Sequence, residues 1–174
     1  MTLHADSDDG LSWRGGDWLL VRWLGDQMGA GLFKRLDQSS LTGVANIQSA
    51  SGQSFPALFA DFGLSLFTDS MPGLPRATAP AVDRFVTRNV RQLWARLFVT
   101  SNQTDVPLAY PVQLFAITAD TSTAVMDPGT NSYFRLDTPA NAATVSIQFA
   151  GPGGVALPAA MRPQLAIFRL PAGQ

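Results

Sequence analysis

The residues able to do chemistry are few and unevenly spread. Asp6, Asp8 and Asp9 run into Gly10, an acidic opening like that of a calcium loop. The later oxygen ligands of that pattern do not follow, and its terminal Glu is missing, so the stretch reads as a solvated tail. Arg84, Arg88, Arg91 and Arg96 suggest an anion-binding stripe, with Arg84, Arg88 and Arg91 at helical spacing if their helix begins early. The competing role is structural, because Arg pairs with Asp at helix surfaces and lays its stem on apolar groups. Trp13, Trp18, Trp23 and Trp94, with Tyr110 and Tyr133, offer flat faces for stacking on a sugar. Core or interface packing is the commoner fate of such aromatics. Trp13 stands outside any periodic pattern and is the best candidate for an exposed contact. Trp13, Trp18, Trp23, Arg84 and Arg88 are therefore the candidate interface residues. No residue is assigned as catalytic, metal-binding or cofactor-binding.

What is missing narrows the chemistry further. All 13 acids are Asp, and 11 of the 12 bases are Arg, with Lys34 the only lysine. Without Glu there is no HExxH zinc-protease motif and no bidentate Glu calcium loop. Without Cys there is no thiol chemistry, disulfide or Cys-ligated metal. The single histidine, His4, lies near a terminus expected to fray, and a Ser/His/Asp triad would have to recruit it. An autonomous hydrolytic site is not expected, and neither is a cofactor.

Composition then speaks to partners. The chain has 174 residues, enough for one domain or two small ones, of which 46% are hydrophobic and only 14% charged. So little charge implies that part of the surface is normally covered. A formal charge of -1 gives no electrostatic case for nucleic acid. The opening MTLHADSDDG is polar and acidic where a signal peptide needs a basic then apolar run. The apolar run from Trp18 is broken at Arg22, far short of the roughly 20 residues of a membrane span.

The elements that must position these residues fall into two textures. Residues 1–15 are expected to be extended or disordered, and residues 16–100 to form a small helical subdomain. Within it, Asp17 to Met28 is the first helix, stopped by Gly29 and Gly31. Leu20, Val21, Leu24 and Met28 share one face, Leu19 and Trp23 widen it, and Arg22 and Asp26 mark a narrow polar edge. Leu32 to Asp37 follows as a short helix. Thr42 caps a third over Gly43 to about Ala50, with Val44 and Ile47 inward. Ser54 caps a fourth, with Pro56 in its first turn and Phe55, Leu58, Phe59, Phe62, Leu66 and Phe67 on one stripe. MPGLPRATAP breaks the chain, and Asn89 caps a last helix to Phe98.

Residues 101–110 read as a linker, and residues 111–174 as a β domain. There PVQLFAITA, STAVM, SYFRL, ATVSIQF and QLAIFRL alternate as strands do, with DPGT, TPAN and GPGG as turn signals. The expected fold is α+β: a small N-terminal helical bundle, then a C-terminal antiparallel β-sandwich. GPGG has no Lys-Ser/Thr and no helix after it, so it is read as a hairpin turn and not as a phosphate loop.

The helical half also resembles a known family. WLLVRWLGDQMG, then TGVAN, SFPALFADF and NVRQLWARL, resemble a recurring segment of secreted bacterial metallopeptidases of the hyicolysin-like, gluzincin type. Here those elements span Trp18 to Gly29, Thr42 to Asn46, Ser54 to Phe62 and Asn89 to Leu97. In that family the HExxH helix and the downstream glutamate ligand come before this segment, and neither occurs in this chain. The resemblance implies a C-terminal, non-catalytic region of a secreted or cell-envelope protein. It would pack on a zinc-peptidase domain upstream or supplied in trans. Two other readings stand beside it: a surface module binding carbohydrate or protein, and a self-associating structural protein.

Overall fold

The computed structural model describes residues 10–77, 79–101, 108–110, 112, 114–117, 122–124, 126, 129–137, 144 and 146–169, with backbone alone for residues 10–14. Five α-helices run through the first hundred residues: α1 Gly10–Met28, α2 Gly31–Asp37, α3 Gly43–Ser51, α4 Phe55–Thr68 and α5 Val90–Thr100.

α1 begins at Gly10, earlier than the expected Asp17, so an extended segment up to residue 15 is corrected over residues 10–15. Gly15 and Gly16 each weaken a helix by about 1 kcal/mol relative to Ala, which is not enough to stop one. Gly29 ends it at φ +77°, its N–H donating to the Gly25 carbonyl at 2.9 Å. α3 ends the same way on left-handed Gly52. Ser54 occupies the cap position of α4 but makes no side-chain capping bond. Instead Gln48 Oε1 accepts from the Phe55 N–H at 2.9 Å, so the preceding helix covers that exposed donor. Asn89 does cap α5, its Oδ1 accepting from the Gln92 N–H at 2.8 Å.

The helices close around one core. Leu20, Trp23 and Leu24 of α1 meet Leu32 of α2, Ala50 of α3 and Leu58, Phe62 and Leu66 of α4, with Phe85 and Val90 completing it. Phe62 sits at its centre, with ring centroids 6.0 Å from Trp23 and 6.3 Å from Phe85. Ile47 packs against this cluster as expected, whereas Val44 is exposed. Two glycines allow the closest approaches. The Phe33 ring occupies the space a Cβ on Gly25 would need, and the Asn131 amide does the same at Gly63. α2 and α3 are tied by Arg35 Nε donating to the Ala50 carbonyl at 2.7 Å and by Asn46 Nδ2 donating to that of Leu36 at 3.0 Å.

The second half departs from expectation. Among its described residues are two strands, β1 Leu114–Ile117 and β2 Tyr133–Leu136, which pair in parallel with Leu114 opposite Tyr133 and Ile117 opposite Leu136. No antiparallel β-sandwich exists among the described residues, so the protein is mainly helical with one small parallel sheet. Parallel neighbours need a crossover and not a hairpin, so the turn signals misled. Residues 122–124, 146–150 and 164–169 alternate as strands would, yet form no ladder. Alternation records two faces of an extended chain and supplies no pairing partner. GPGG turns tightly, Gly151 N–H donating to the Val155 carbonyl at 2.7 Å, but its flanks do not pair, so it is no hairpin. TPAN, and Asp127 and Pro128 of DPGT, lie outside the described residues.

Two tyrosines fasten this half to α4. Tyr110 donates its hydroxyl to the Leu66 carbonyl, and Tyr133 donates its own to that of Gly63 at 2.7 Å. The Tyr133 ring stacks on Phe67 at 5.7 Å. Burial pushes both phenols well above the ordinary tyrosine value, which keeps them as donors.

Candidate interface surfaces

Most of the polar chemistry of the helical half is engaged in holding residues 69–90 in place. Asp69 is fully buried just after α4. Its carboxylate accepts from Arg76 Nη1, from the Phe85 N–H at 3.3 Å and from the Val90 N–H at 2.7 Å. The Val90 N–H opens α5, so the negative charge also meets the positive end of that helix. Arg76 Nη1 also donates to Ser70 Oγ, and its Nη2 donates to the carbonyls of Phe85, Val86 and Arg88. A buried carboxylate is tolerated because its lone pairs are filled and its charge is matched.

A second set ties the same segment to α1. Asp26 accepts from the Thr87 N–H at 3.0 Å and from Thr87 Oγ1 at 2.6 Å, while Arg22 Nη2 donates to Thr87 Oγ1 at 2.7 Å. Gln27 Nε2 donates to the carbonyls of Ala81 and Arg84. The narrow polar edge of α1 is thus a seam against the loop and not a solvated strip.

The sequence-derived interface residues scatter. Trp23 is 1% exposed and belongs to the core, its indole N–H donating to the Val82 carbonyl at 3.4 Å. Trp18 is half exposed on the outer side of α1. The side chain of Trp13 lies outside the described residues, as do His4, Asp6, Asp8 and Asp9. Arg84 and Arg88 precede α5, which starts only at Val90, so no helical arginine stripe forms. Arg84 Nε donates to the Ala79 carbonyl at 3.1 Å. Arg91 donates to the carbonyls of Asp69 and Phe67 and lies 4.2 Å over the Tyr110 ring. Arg88 and Arg96 are exposed, and their side chains have no partner among the described residues.

Among the open surfaces, two carry a depression. On α5, Val90, Arg91, Trp94 and Phe98 turn inward or are half-covered, leaving Leu93, Leu97 and Val99 exposed on the other side. In the second half, a depression of about 450 Å³ is lined by Phe115, Ile117 and Phe134 with the hydroxyl residues Ser122, Thr123 and Ser132. Nothing in the sequence distinguished the outward side of α5, because its apolar residues look alike whichever way they face.

Partial burial pushes the carboxyls of Asp61 on α4 and Asp83 of the adjoining turn above the ordinary value, and the Asp61 charge adds to the rise at Asp83. Among the described residues no three His, Cys, Asp or Glu side chains gather as metal ligands. Among them, too, no helix is long and apolar enough to cross a membrane. No family model, no curated protein and no solved structure matches the chain.

Proposed function

We propose that this chain is the non-catalytic, packing region of a metallopeptidase-like protein, docking on a zinc-peptidase domain that the chain itself lacks. The observation that carries the reading is apolar surface on ordered helices: Trp18 is 50% exposed, Leu93 and Leu97 each 40%, and Val99 70%. Exposed residues of this size on rigid faces are what a missing neighbour would cover. The family resemblance supports it in kind, since Trp23, Asn46, Leu58, Phe62 and Val90 of the resembling segments are all packing or bracing residues. The polar groups support it as well, because Asp26, Asp69, Arg76 and Arg91 hold backbone and leave little to act on a substrate. Metal analysis of the purified full-length chain after equilibration with zinc tests the proposal. Substoichiometric zinc is expected, and one tightly held zinc per chain would contradict it.

A second reading rests on the Phe115–Phe134 depression, where aromatic faces beside hydroxyls suit a sugar ring. It expects a signal on a glycan array that Phe115→Ala abolishes.

A further inference from the structure

We propose that the outer face of α5 is a docking groove for an acidic amphipathic helix of the companion protein. The inference rests on the reading of the chain as a packing region and adds where the partner sits and what it must carry. Gln92, Arg96 and Thr100 are spaced four apart, and Ala95 and Val99 form the neighbouring row. Rows of this kind are the ridges of a helix surface, and the groove between them accepts a matching ridge from another helix. A groove of about 370 Å³ lies there, lined by those five residues. It is shallow, with the small Ala95 on its floor and Val99 as its apolar side. Leu93 and Leu97, exposed one turn apart, extend the apolar surface alongside.

Charge decides what kind of helix fits. α5 carries Arg91 and Arg96 and no acid, and Arg88 lies just before its cap. Arg91 is engaged by backbone carbonyls and by Tyr110, so Arg96 is the cation that lines the groove, with Arg88 exposed just before the helix. A helix with an apolar ridge flanked by Asp or Glu answers both features. A second copy of α5 does not. Packed antiparallel about the centre of the helix, it would bring the two Arg96 side chains within about one turn of each other, and like charges at a contact oppose association.

The test uses the full chain and two fluorescently labelled synthetic helical peptides. One has Leu along a single i, i+4 ridge with Glu on both sides; the other has Lys in place of Glu. Anisotropy titration is expected to show the Glu peptide binding at least about tenfold tighter than the Lys peptide. Ala95→Leu fills the groove and is expected to weaken the Glu peptide by about tenfold or more, and Arg96→Glu to reverse the preference. Both positions are exposed, so circular dichroism melts of the variants should match the parent. Equal binding of the two peptides, binding of neither, or indifference to Ala95→Leu would overturn the proposal. A dimer in sedimentation that Arg96→Glu dissolves would also overturn it, in favour of a second copy. Glu-peptide binding that survives both α5 variants but is lost in Trp18→Asp would reject this groove and leave the functional reading intact. One tightly held zinc per chain would remove the functional reading instead.

Discussion

Asp69 and Arg76 brace the segment between α4 and α5. One carboxylate and one guanidinium bind the start of α5 and the carbonyls of residues 85–88 to the end of α4. Neither was legible as a site, since Asp69 only ends a periodic helix, Arg76 falls in a proline-broken stretch, and the two meet only when the chain folds back. Removing one partner of a buried ion pair strands the other. Arg76→Ala is therefore expected to cost about 3–5 kcal/mol in urea unfolding. The Asp61–Asp83 pair predicts a pH effect. Their folded carboxyls hold protons more tightly than in the unfolded chain, so this contribution is full below the ordinary value of 3.8. It is lost as the pH rises through the raised values. Asp83→Asn is expected to raise the melting temperature at pH 7 relative to the parent, with the advantage gone in acid below that value.

At the scale of elements, the helices were readable and the sheet was not. α2 to α5 lie within a residue or two of their expected bounds because apolar spacing, Asn89 and the glycines after α1 and α3 act locally. The extra length of α1 escaped because glycines at residues 15 and 16 looked like a boundary. Strands need a partner, and PVQLFAITA and SYFRL have the same texture as ATVSIQF and QLAIFRL, yet among the described residues only the first two hold paired ones. Close approach of elements was equally invisible. Gly25 reads as a weak helix residue, but its missing Cβ is what admits Phe33 from α2 onto α1. Gly25→Ala is expected to destabilise by about 1–3 kcal/mol despite the better helix propensity of Ala. Adding Phe33→Leu should recover part of the loss in the same denaturation curves.

For the molecule as a whole, the scarcity of charge implied covered surface, and under the proposed reading the α5 face and Trp18 are where a partner would sit. Which aromatics serve the core could not be told from spacing alone: Trp18 and Trp23 share one helix and one residue type, and one is half exposed while the other is sealed. Core membership depends on which neighbours arrive from α4 and from residues 85–90. The central claim is that this chain packs and does not cut. It is tested most directly by incubating the full chain, with and without added zinc, with a mixed peptide library and reading products by mass spectrometry. The account predicts no cleavage above the buffer control in either condition. Zinc-dependent cleavage that disappears in the His4→Ala variant would contradict it.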